Sequence, residues 1–257
     1  MSAAPVVEVS PPWRPALGDI VIEPTEKHTA TVVFLHGLGD SGRGWADIVP
    51  AFGLRHIKFI LPSAESRPIT INGGFPMNGW FDVLGLGPST KEDVPGLDRA
   101  AAHVISILAK EKAKAGPESP VRYAVGGFSQ GGSLALHVAT SLTYGKYLDG
   151  KPAPSVPLTA AACISGWLSG SDVLAKGRRN LDAGALERAG RLPILHCHGT
   201  VDPVVNFQFG KLTAETLKGP LGFSKTKFNA YNGVGHSVSP EEVADIRAWL
   251  LEHLPPA

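Results

Sequence analysis

Short, continuous apolar runs alternate along this chain with stretches in which apolar residues recur every three or four positions. An unbroken apolar run is typical of a strand buried on both faces of a parallel sheet, and the longer periodicity is typical of a helix. Strands are predicted at residues 31–35, 56–61, 121–125, 158–164, 193–197 and 225–231, with one more near 19–22. Helices are predicted at 45–52, 97–114, 133–142, 183–189 and 207–218. This alternation predicts an α/β fold whose mostly parallel central sheet carries helices on both faces.

The last predicted helix has the clearest start signal in the chain. Ser239 suits the N-cap, Pro240 the first helical position, and Glu242 completes a capping box. The expected buried stripe of this helix is Val243, Ile246 and Leu250.

Three segments lack such regularity. Residues 1–27 are rich in proline and are predicted to be an extended N-terminal arm, followed by a single domain at 28–257. Residues 62–96 form a long apolar connection, and connections of that length are usually functional. Residues 143–157 are predicted to be a surface excursion.

Composition narrows the classes of function. A net charge of +1 argues against nucleic acid as a partner, and 43% hydrophobic residues suffice for a large core. The N-terminus lacks a secretory signal, no apolar stretch approaches the ~20 residues that span a bilayer, and no lipidation motif is present. A cytoplasmic protein is therefore expected. Cys163 and Cys197 lie in apolar, strand-like runs, which predicts buried free thiols rather than a disulfide.

The candidate chemistry centres on Gly127–Phe128–Ser129–Gln130–Gly131, a G-x-S-x-G pattern between a predicted strand and a predicted helix. A tight turn in that context exposes a serine hydroxyl above the end of a sheet. A serine hydroxyl needs a base to remove its proton and an acid to orient that base. Asp202 and His236 follow the last two predicted strands in the required order, and are the predicted partners of Ser129.

Other acids and histidines fit less well. Asp172 and Asp182 do not directly follow a predicted strand, and neither do the histidines on predicted helices. These residues are therefore not expected to reach the edge of the sheet where Ser129 lies. His196 and His198 share one face of a strand, but no third ligand accompanies them, so neither a metal nor another cofactor is expected.

An acyl-transfer site also needs two donors for the developing oxyanion. One is expected to be the backbone N–H of Gln130, directly after the candidate nucleophile. The other is expected in the glycine-rich loop that follows the first core strand, at the Leu38 N–H. In that loop His36 and Asp40 are interpreted as structural side chains rather than catalytic ones.

Five segments together carry a resemblance to a known family. They are residues 36–42, 80–82, 127–132, 198–202 and 235–237, in order along the chain. The chain resembles acyl-protein thioesterases of the lysophospholipase/carboxylesterase type over roughly residues 28–255. The resemblance implies an α/β-hydrolase fold, a Ser129–Asp202–His236 triad, and an oxyanion hole at Leu38 and Gln130. It also implies hydrolysis of thioesters on S-palmitoylated proteins, with lysophospholipids or small esters as further substrates.

The resemblance further implies an apolar acyl channel, whose candidate residues here are Ile69, Ile71, Phe75, Met77, Trp80, Leu84, Leu86, Trp167 and Leu168. The implied partners are S-acylated proteins, with at most a transient contact to a membrane surface. The expected oligomeric state is a monomer or a weak homodimer. Three departures stand out: Asn78 occupies a position where the family usually has proline, residues 143–157 are longer than usual, and the N-terminus lacks a cysteine for self-acylation.

Two alternatives remain open from the sequence. One is a short-chain carboxylesterase or protein deacetylase, which a series of acyl chain lengths would distinguish. The other, from a different class, is a non-catalytic ligand-binding protein on a hydrolase fold, which would bind but neither hydrolyse esters nor react with a fluorophosphonate.

Overall fold

The computed structural model describes residues 13–14, 17–85 and 90–257. Nine strands are present in these ranges: β1 (Ile20–Ile22), β2 (Ala30–Leu35), β3 (Ile57–Leu61), β4 (Ser66–Ile69), β5 (Phe75–Asn78), β6 (Arg122–Phe128), β7 (Ala160–Ile164), β8 (Ile194–Gly199) and β9 (Thr226–Tyr231). Seven of them form one sheet in the order β1-β3-β2-β6-β7-β8-β9. Only β1 in that sheet is antiparallel to its neighbour. The predicted mostly parallel sheet is therefore confirmed, including the strand near residues 19–22.

The helices of the described ranges are α1 (Gly42–Trp45), α2 (Val94–Ala115), α3 (Gln130–Tyr144), α4 (Ser171–Arg178), α5 (Ala183–Arg191), α6 (Phe207–Lys218) and α7 (Pro240–His253). None of these helices has the length and hydropathy that a membrane-spanning helix needs.

Alternate residues of β2 show how the helices cover both faces of the sheet. Val33 and Leu35 belong to an apolar cluster with α2 and α3, whereas Val32 and Phe34 belong to a second cluster with α7. Successive side chains of a strand point to opposite faces, so a continuously apolar strand needs a hydrophobic layer on each side. The division into an arm at 1–27 and one domain at 28–257 stays a prediction, and residues 1–12 and 15–16 lie outside the described ranges.

Three regions differ from the sequence-based expectation. The helix predicted at 45–52 is wrong: α1 ends at Trp45, and a separate 3₁₀ turn spans Val49–Phe52. Pro50 has no N–H to continue an α-helix, which explains the break. The connection 62–96 contains a β4–β5 hairpin, hidden because each strand includes a proline. Helix α4 was not predicted, since Leu174 is its only buried residue and leaves no periodic signal.

The surface excursion after α3 is held by one buried carboxylate. Asp98 on α2 accepts backbone N–H groups from Leu148 and Asp149, and it also contacts the buried His137 side chain on α3 at 2.7 Å. The excursion is thus fixed to the helical layer although it has little regular structure of its own.

Helix α7 begins with the predicted capping box. The Ser239 Oγ accepts the Glu242 N–H at 3.1 Å, and the Glu242 carboxylate accepts the Ser239 N–H at 3.4 Å. Ile246 and Leu250 are buried as predicted, Trp249 joins them, and Val243 is only half-buried. Glu242 itself is fully buried, and one of its oxygens has no hydrogen-bond partner.

Glu242 provides a testable pH dependence of stability. Burial raises its pKa from 4.5 to about 7, and the nearby Asp245 adds to the effect. The folded state therefore keeps a proton that the unfolded state releases, so this group's contribution to stability is present below pH 4.5 and is lost as the pH rises through about 7. We expect Glu242→Gln to raise the free energy of unfolding by roughly 2–3 kcal/mol at pH 8 and by far less at pH 4.5.

Urea unfolding at the two pH values measures this difference, and Glu241→Gln is the matched control. Glu241 is the preceding residue, it lies in the same helical turn, and it is exposed. The expectation would be contradicted if Glu242→Gln increased the free energy of unfolding by no more at pH 8 than at pH 4.5.

Candidate active site

Ser129 occupies a sharp turn between β6 and α3. Its φ of 54° lies in the left-handed region, which strongly favours glycine. In the part of the chain that the structure describes, Ser165 is the only other non-glycine residue with a positive φ. The Ser129 N–H donates to the Ile164 carbonyl at 2.7 Å, which ties the turn to the neighbouring strand β7. Such backbone strain persists only where the surroundings hold it, and it is frequent at functional sites.

The glycines around Ser129 allow an unusually close approach of backbone to backbone. A Cβ built on Gly127 would lie closer than 3.0 Å to the Gly131 carbonyl oxygen. A Cβ built on Gly131 would lie closer than 3.0 Å to the carbonyl oxygens of both Leu35 and His36. The glycines of the G-x-S-x-G pattern therefore let α3 start directly against β2 and β6.

The structure brings Ser129, His236 and Asp202 into one hydrogen-bonded line. His236 Nε2 lies 2.9 Å from Ser129 Oγ, and His236 Nδ1 lies 2.7 Å from Asp202 Oδ2. Because a carboxylate only accepts hydrogen bonds, Nδ1 carries the proton, and Nε2 is free to accept the proton of the serine hydroxyl. This arrangement suits a base that is oriented by an acid.

Asp202 is held from both sides. Its Oδ1 accepts the N–H groups of Val204 at 2.8 Å and Val205 at 2.9 Å, which leaves Oδ2 for His236. The same Val205 is held in turn by His198, whose Nε2–H donates to the Val205 carbonyl at 2.8 Å. Burial lowers the pKa of His198, so this ring is a neutral donor rather than the cation of an ion pair.

The loops that carry Asp202 and His236 meet at Gly199. A Cβ there would lie closer than 3.0 Å to the carbonyl oxygens of Val234 and Gly235. The absence of a side chain at the end of β8 therefore brings the loop after β9 within reach of the Asp202 loop.

The loop after β2 lies against the serine. A Cβ built on Gly37 would be 3.4 Å from the Ser129 Cβ. Neither the Leu38 N–H nor the Gln130 N–H donates to a protein acceptor within the described ranges. Gln130 is the first residue of α3, where a helix leaves its N–H groups unpaired and its dipole is positive. Both groups are therefore available to an anionic oxygen.

Trp80 joins these two donor-bearing segments. Its backbone N–H donates to Gln130 Oε1 at 3.0 Å, and its indole N–H donates to the His36 carbonyl at 2.9 Å. Gln130 Nε2 donates in turn to the Phe81 carbonyl at 2.7 Å. Fully buried Trp80 thus acts as a brace.

His36 and Asp40 have the structural roles expected of them. His36 Nε2 accepts the Ala64 N–H at 3.0 Å, so its Nδ1 donates to the Gly37 carbonyl at 2.6 Å, and burial lowers its pKa. Asp40 Oδ1 accepts the Ser41 N–H at 2.7 Å.

A cavity of about 250 Å³ is lined in part by Val205, whose N–H donates to Asp202 Oδ1 at 2.9 Å. Of the eight channel candidates within the described ranges, Trp167 and Leu168 line this cavity. Ile69 is fully buried in the core like Trp80, Met77 is half-buried, and the side chains of Ile71, Phe75 and Leu84 are exposed. Leu86 lies outside the described residues. Within the long connection, Trp80 braces the site, whereas Gly85, Thr90 and Glu92 line the cavity.

Other residues that line the cavity were not among the predicted channel residues. Val205, Phe209 and Leu212 contribute apolar side chains from α6 and the segment before it. Leu212 is 58% exposed, which is high for a leucine on an amphipathic helix. The sequence signal that could have identified these lining residues was the apolar character of positions 209 and 212, shortly after the candidate acid Asp202.

Two further expectations concern cysteines and metals. Cys163 and Cys197 are buried free thiols, as predicted, and burial raises the pKa of Cys163 to about 12. Across residues 13–14, 17–85 and 90–257, no three His, Cys, Asp or Glu side chains are grouped so that they could hold a metal ion. The ring centroids of His196 and His198 lie 5.8 Å apart with the planes tilted by 46°, and burial lowers the pKa of His196 to about 3.

Comparisons with known proteins identify the family of this chain. The family model described as Phospholipase/Carboxylesterase matches residues 18–254. Acyl-protein thioesterase 1 of Gibberella zeae is 36% identical over 249 residues, which cover 93% of this chain and 97% of that protein.

Solved structures extend the similarity to the fold. The crystal structure of Zea mays acyl-protein thioesterase 2 superposes with a TM-score of 0.86 at 40% identity, covering 93% of this chain and 100% of that one. Arabidopsis thaliana SOBER1 superposes with a TM-score of 0.72 at 31% identity, covering 88% and 99%. The predicted α/β-hydrolase fold is confirmed, and the chain belongs to the phospholipase/carboxylesterase family.

Proposed function

We propose that this protein is a serine hydrolase that cleaves the thioesters of S-acylated proteins through Ser129, His236 and Asp202. The observation that carries the proposal is the unbroken hydrogen-bonded line from Asp202 through His236 to the Ser129 hydroxyl. Similarity to proteins named acyl-protein thioesterases, at 36% and 40% identity, supports a thioester as the substrate.

In the acylation step, Ser129 Oγ attacks the carbonyl carbon of the thioester while its proton passes to His236 Nε2. The carbonyl electron pair moves onto oxygen, and this oxyanion accepts the Leu38 and Gln130 N–H groups. The Asp202 carboxylate stabilises the imidazolium that forms. The carbon–sulfur bond then breaks, and His236 returns the proton to the departing cysteine thiolate.

In the deacylation step, water attacks the ester on Ser129 and gives its proton to His236. A second oxyanion forms and collapses, the bond from carbon to Ser129 Oγ breaks, and His236 protonates that oxygen. The products are a fatty acid and a free cysteine thiol, and the resting hydroxyl is restored.

The cavity is proposed to hold the acyl chain. The apolar side chains that line it include Trp167, Leu168, Val205, Phe209 and Leu212. The same site would accept lysophospholipids or small esters, since only the carbonyl group and the chain are held. We further propose a cytoplasmic monomer or weak homodimer that touches membranes transiently.

Acyl chain length tests this proposal. Each methylene moved from water into an apolar cavity contributes up to about 0.8 kcal/mol, or roughly a fourfold gain in binding. We expect kcat/KM for S-acyl peptides to rise from acetyl to octanoyl and to remain high at palmitoyl. Activity that collapses beyond butyryl would contradict a depalmitoylase and favour the short-chain esterase or deacetylase.

A pair of leucine substitutions tests whether the acyl chain of the substrate binds in this cavity. Leu212→Ala should lower the palmitoyl-to-acetyl ratio of kcat/KM several-fold, because this side chain lines the cavity. Leu186→Ala is the matched control, an exposed leucine on α5 that does not line it. Equal palmitoyl-to-acetyl ratios of kcat/KM in the two variants would show that the acyl chain binds outside this cavity.

A further inference from the structure

Asn78, which departs from the family's usual proline, contacts the loop that carries the Leu38 donor. The residue ends β5, and its side-chain Nδ2 donates to the Asp40 carbonyl at 3.0 Å. Its own backbone carbonyl accepts the Gly39 N–H at 2.8 Å. One residue of the hairpin thus holds two successive residues of the loop, once by its backbone and once by its side chain.

These two bonds act on a turn whose shape is demanding. The Asp40 N–H donates to the Gly37 carbonyl at 3.2 Å, which closes a turn with Leu38 and Gly39 at its centre. Gly39 has a φ of 81°, a conformation that strongly favours glycine. The backbone bond from Gly39 fixes the peptide after Leu38, and the Asn78 side chain fixes the far end of the same turn.

The hairpin end that supplies Asn78 is itself well anchored. The Gly79 N–H donates to the Glu65 carbonyl at 3.0 Å, and Trp80 is bound to both His36 and Gln130. A Cβ at Gly79 would lie 3.1 Å from Leu38 Cδ1, so the Leu38 side chain packs directly on this segment. The Asn78 carboxamide therefore extends from a rigid support to a loop built largely of glycine.

We propose that Asn78 is a positioning residue for the oxyanion hole, whose side chain holds the turn that presents the Leu38 N–H. This inference rests on the proposed function of the same site. Any residue at position 78 keeps the backbone carbonyl, so the specific contribution of asparagine is the donor to Asp40. Complete loss of an oxyanion donor costs about 10²–10³ in kcat, so a loosened donor is expected to cost about tenfold.

The test compares Asn78→Ala with Asn72→Ala. Asn72 is an exposed asparagine of the same hairpin, and its side-chain Nδ2 donates to Met77 Sδ at 3.4 Å rather than to the loop that carries Leu38. For a thioester substrate, Asn78→Ala should lower kcat about tenfold at unchanged KM, with the same pH profile and thermal midpoint as the parent. An alkyl trifluoromethyl ketone, whose adduct with Ser129 places an oxyanion in the hole, should bind more weakly by the same factor. Asn72→Ala should match the parent.

Asn78→Asp separates a hydrogen-bonding role from a packing role. Aspartate fills the same volume, but it places a carboxylate oxygen against the Asp40 carbonyl oxygen instead of a donor. A positioning role predicts a larger loss of kcat for Asn78→Asp than for Asn78→Ala, and a packing role predicts the reverse order.

The outcomes distinguish this inference from the proposed function. If the parent hydrolyses thioesters and Asn78→Ala does so equally fast, the positioning role is overturned and the proposed function stands. If the parent is inert, the proposed function fails, and amide exchange of Gly39 decides the positioning role. Faster exchange in Asn78→Ala than in Asn72→Ala then supports a held turn, and equal exchange overturns it.

Discussion

Replacing Ser129 with alanine is expected to lower kcat for thioester hydrolysis by roughly 10³–10⁶ and to abolish labelling by a fluorophosphonate. The Ser129 hydroxyl lies 2.9 Å from His236 Nε2, so it is the group that the histidine can deprotonate for attack on the substrate carbonyl. The oxyanion donors and the cavity remain, so substrate can still bind. Mass spectrometry of the labelled parent should place the probe on Ser129.

Ser237→Ala is the matched control for this substitution. Ser237 follows His236 directly and is exposed. It should retain full activity and labelling. Labelling that persists in Ser129→Ala would overturn the assignment of the nucleophile. A folded parent that neither reacts with the probe nor hydrolyses esters would favour the ligand-binding alternative.

Gly131→Ala is expected to destabilise the fold by roughly 2–5 kcal/mol and to remove most activity. The added Cβ would overlap the carbonyl oxygens of Leu35 and His36, at the end of the central strand β2. Backbone in the middle of a sheet cannot yield as a flexible side chain does. The helix α3 must therefore shift, and Ser129 shifts with it. Urea unfolding followed by tryptophan fluorescence measures the loss.

Gly190→Ala controls for the change from glycine to alanine in a helix. Gly190 lies in α5, and a Cβ added there would have Ser224 Oγ as its nearest neighbour, 3.9 Å away. With no steric conflict, alanine should stabilise the protein by about 0.5–1 kcal/mol through helix propensity. A Gly131→Ala protein as stable as the parent would contradict the close approach of α3 to β2.

Several features of the fold and the site were predictable because each is written in neighbouring residues. The continuous apolar character of 31–35 marks a strand buried on both faces, wherever that strand lies in the sheet. The capping box at Ser239 and the glycines around Ser129 are equally local signals. Asp202 and His236 could be selected because each directly follows a strand, and the carboxyl ends of parallel strands share one edge of the sheet.

Local signals were too weak where structure depends on a few contacts. The hairpin β4–β5 has a proline in each strand, and α4 buries only Leu174, so neither shows a usable period. The channel residues were chosen as apolar members of an irregular loop. Apolar character alone does not tell whether a side chain such as Trp80 enters the core or faces a cavity.

The sequence by itself thus determined the class of the fold, the order of its strands and helices along the chain, and the candidates for nucleophile, acid and base. Only the tertiary structure decided which distant segments meet. It placed His236 against a serine 107 positions earlier, brought Phe209 and Trp167 to the lining of one cavity, and brought Asn78 to the Asp40 carbonyl. The physical reason is that periodicity records which face of an element is buried, whereas contacts between loops depend on strand order, on register and on where glycine lets two backbones approach.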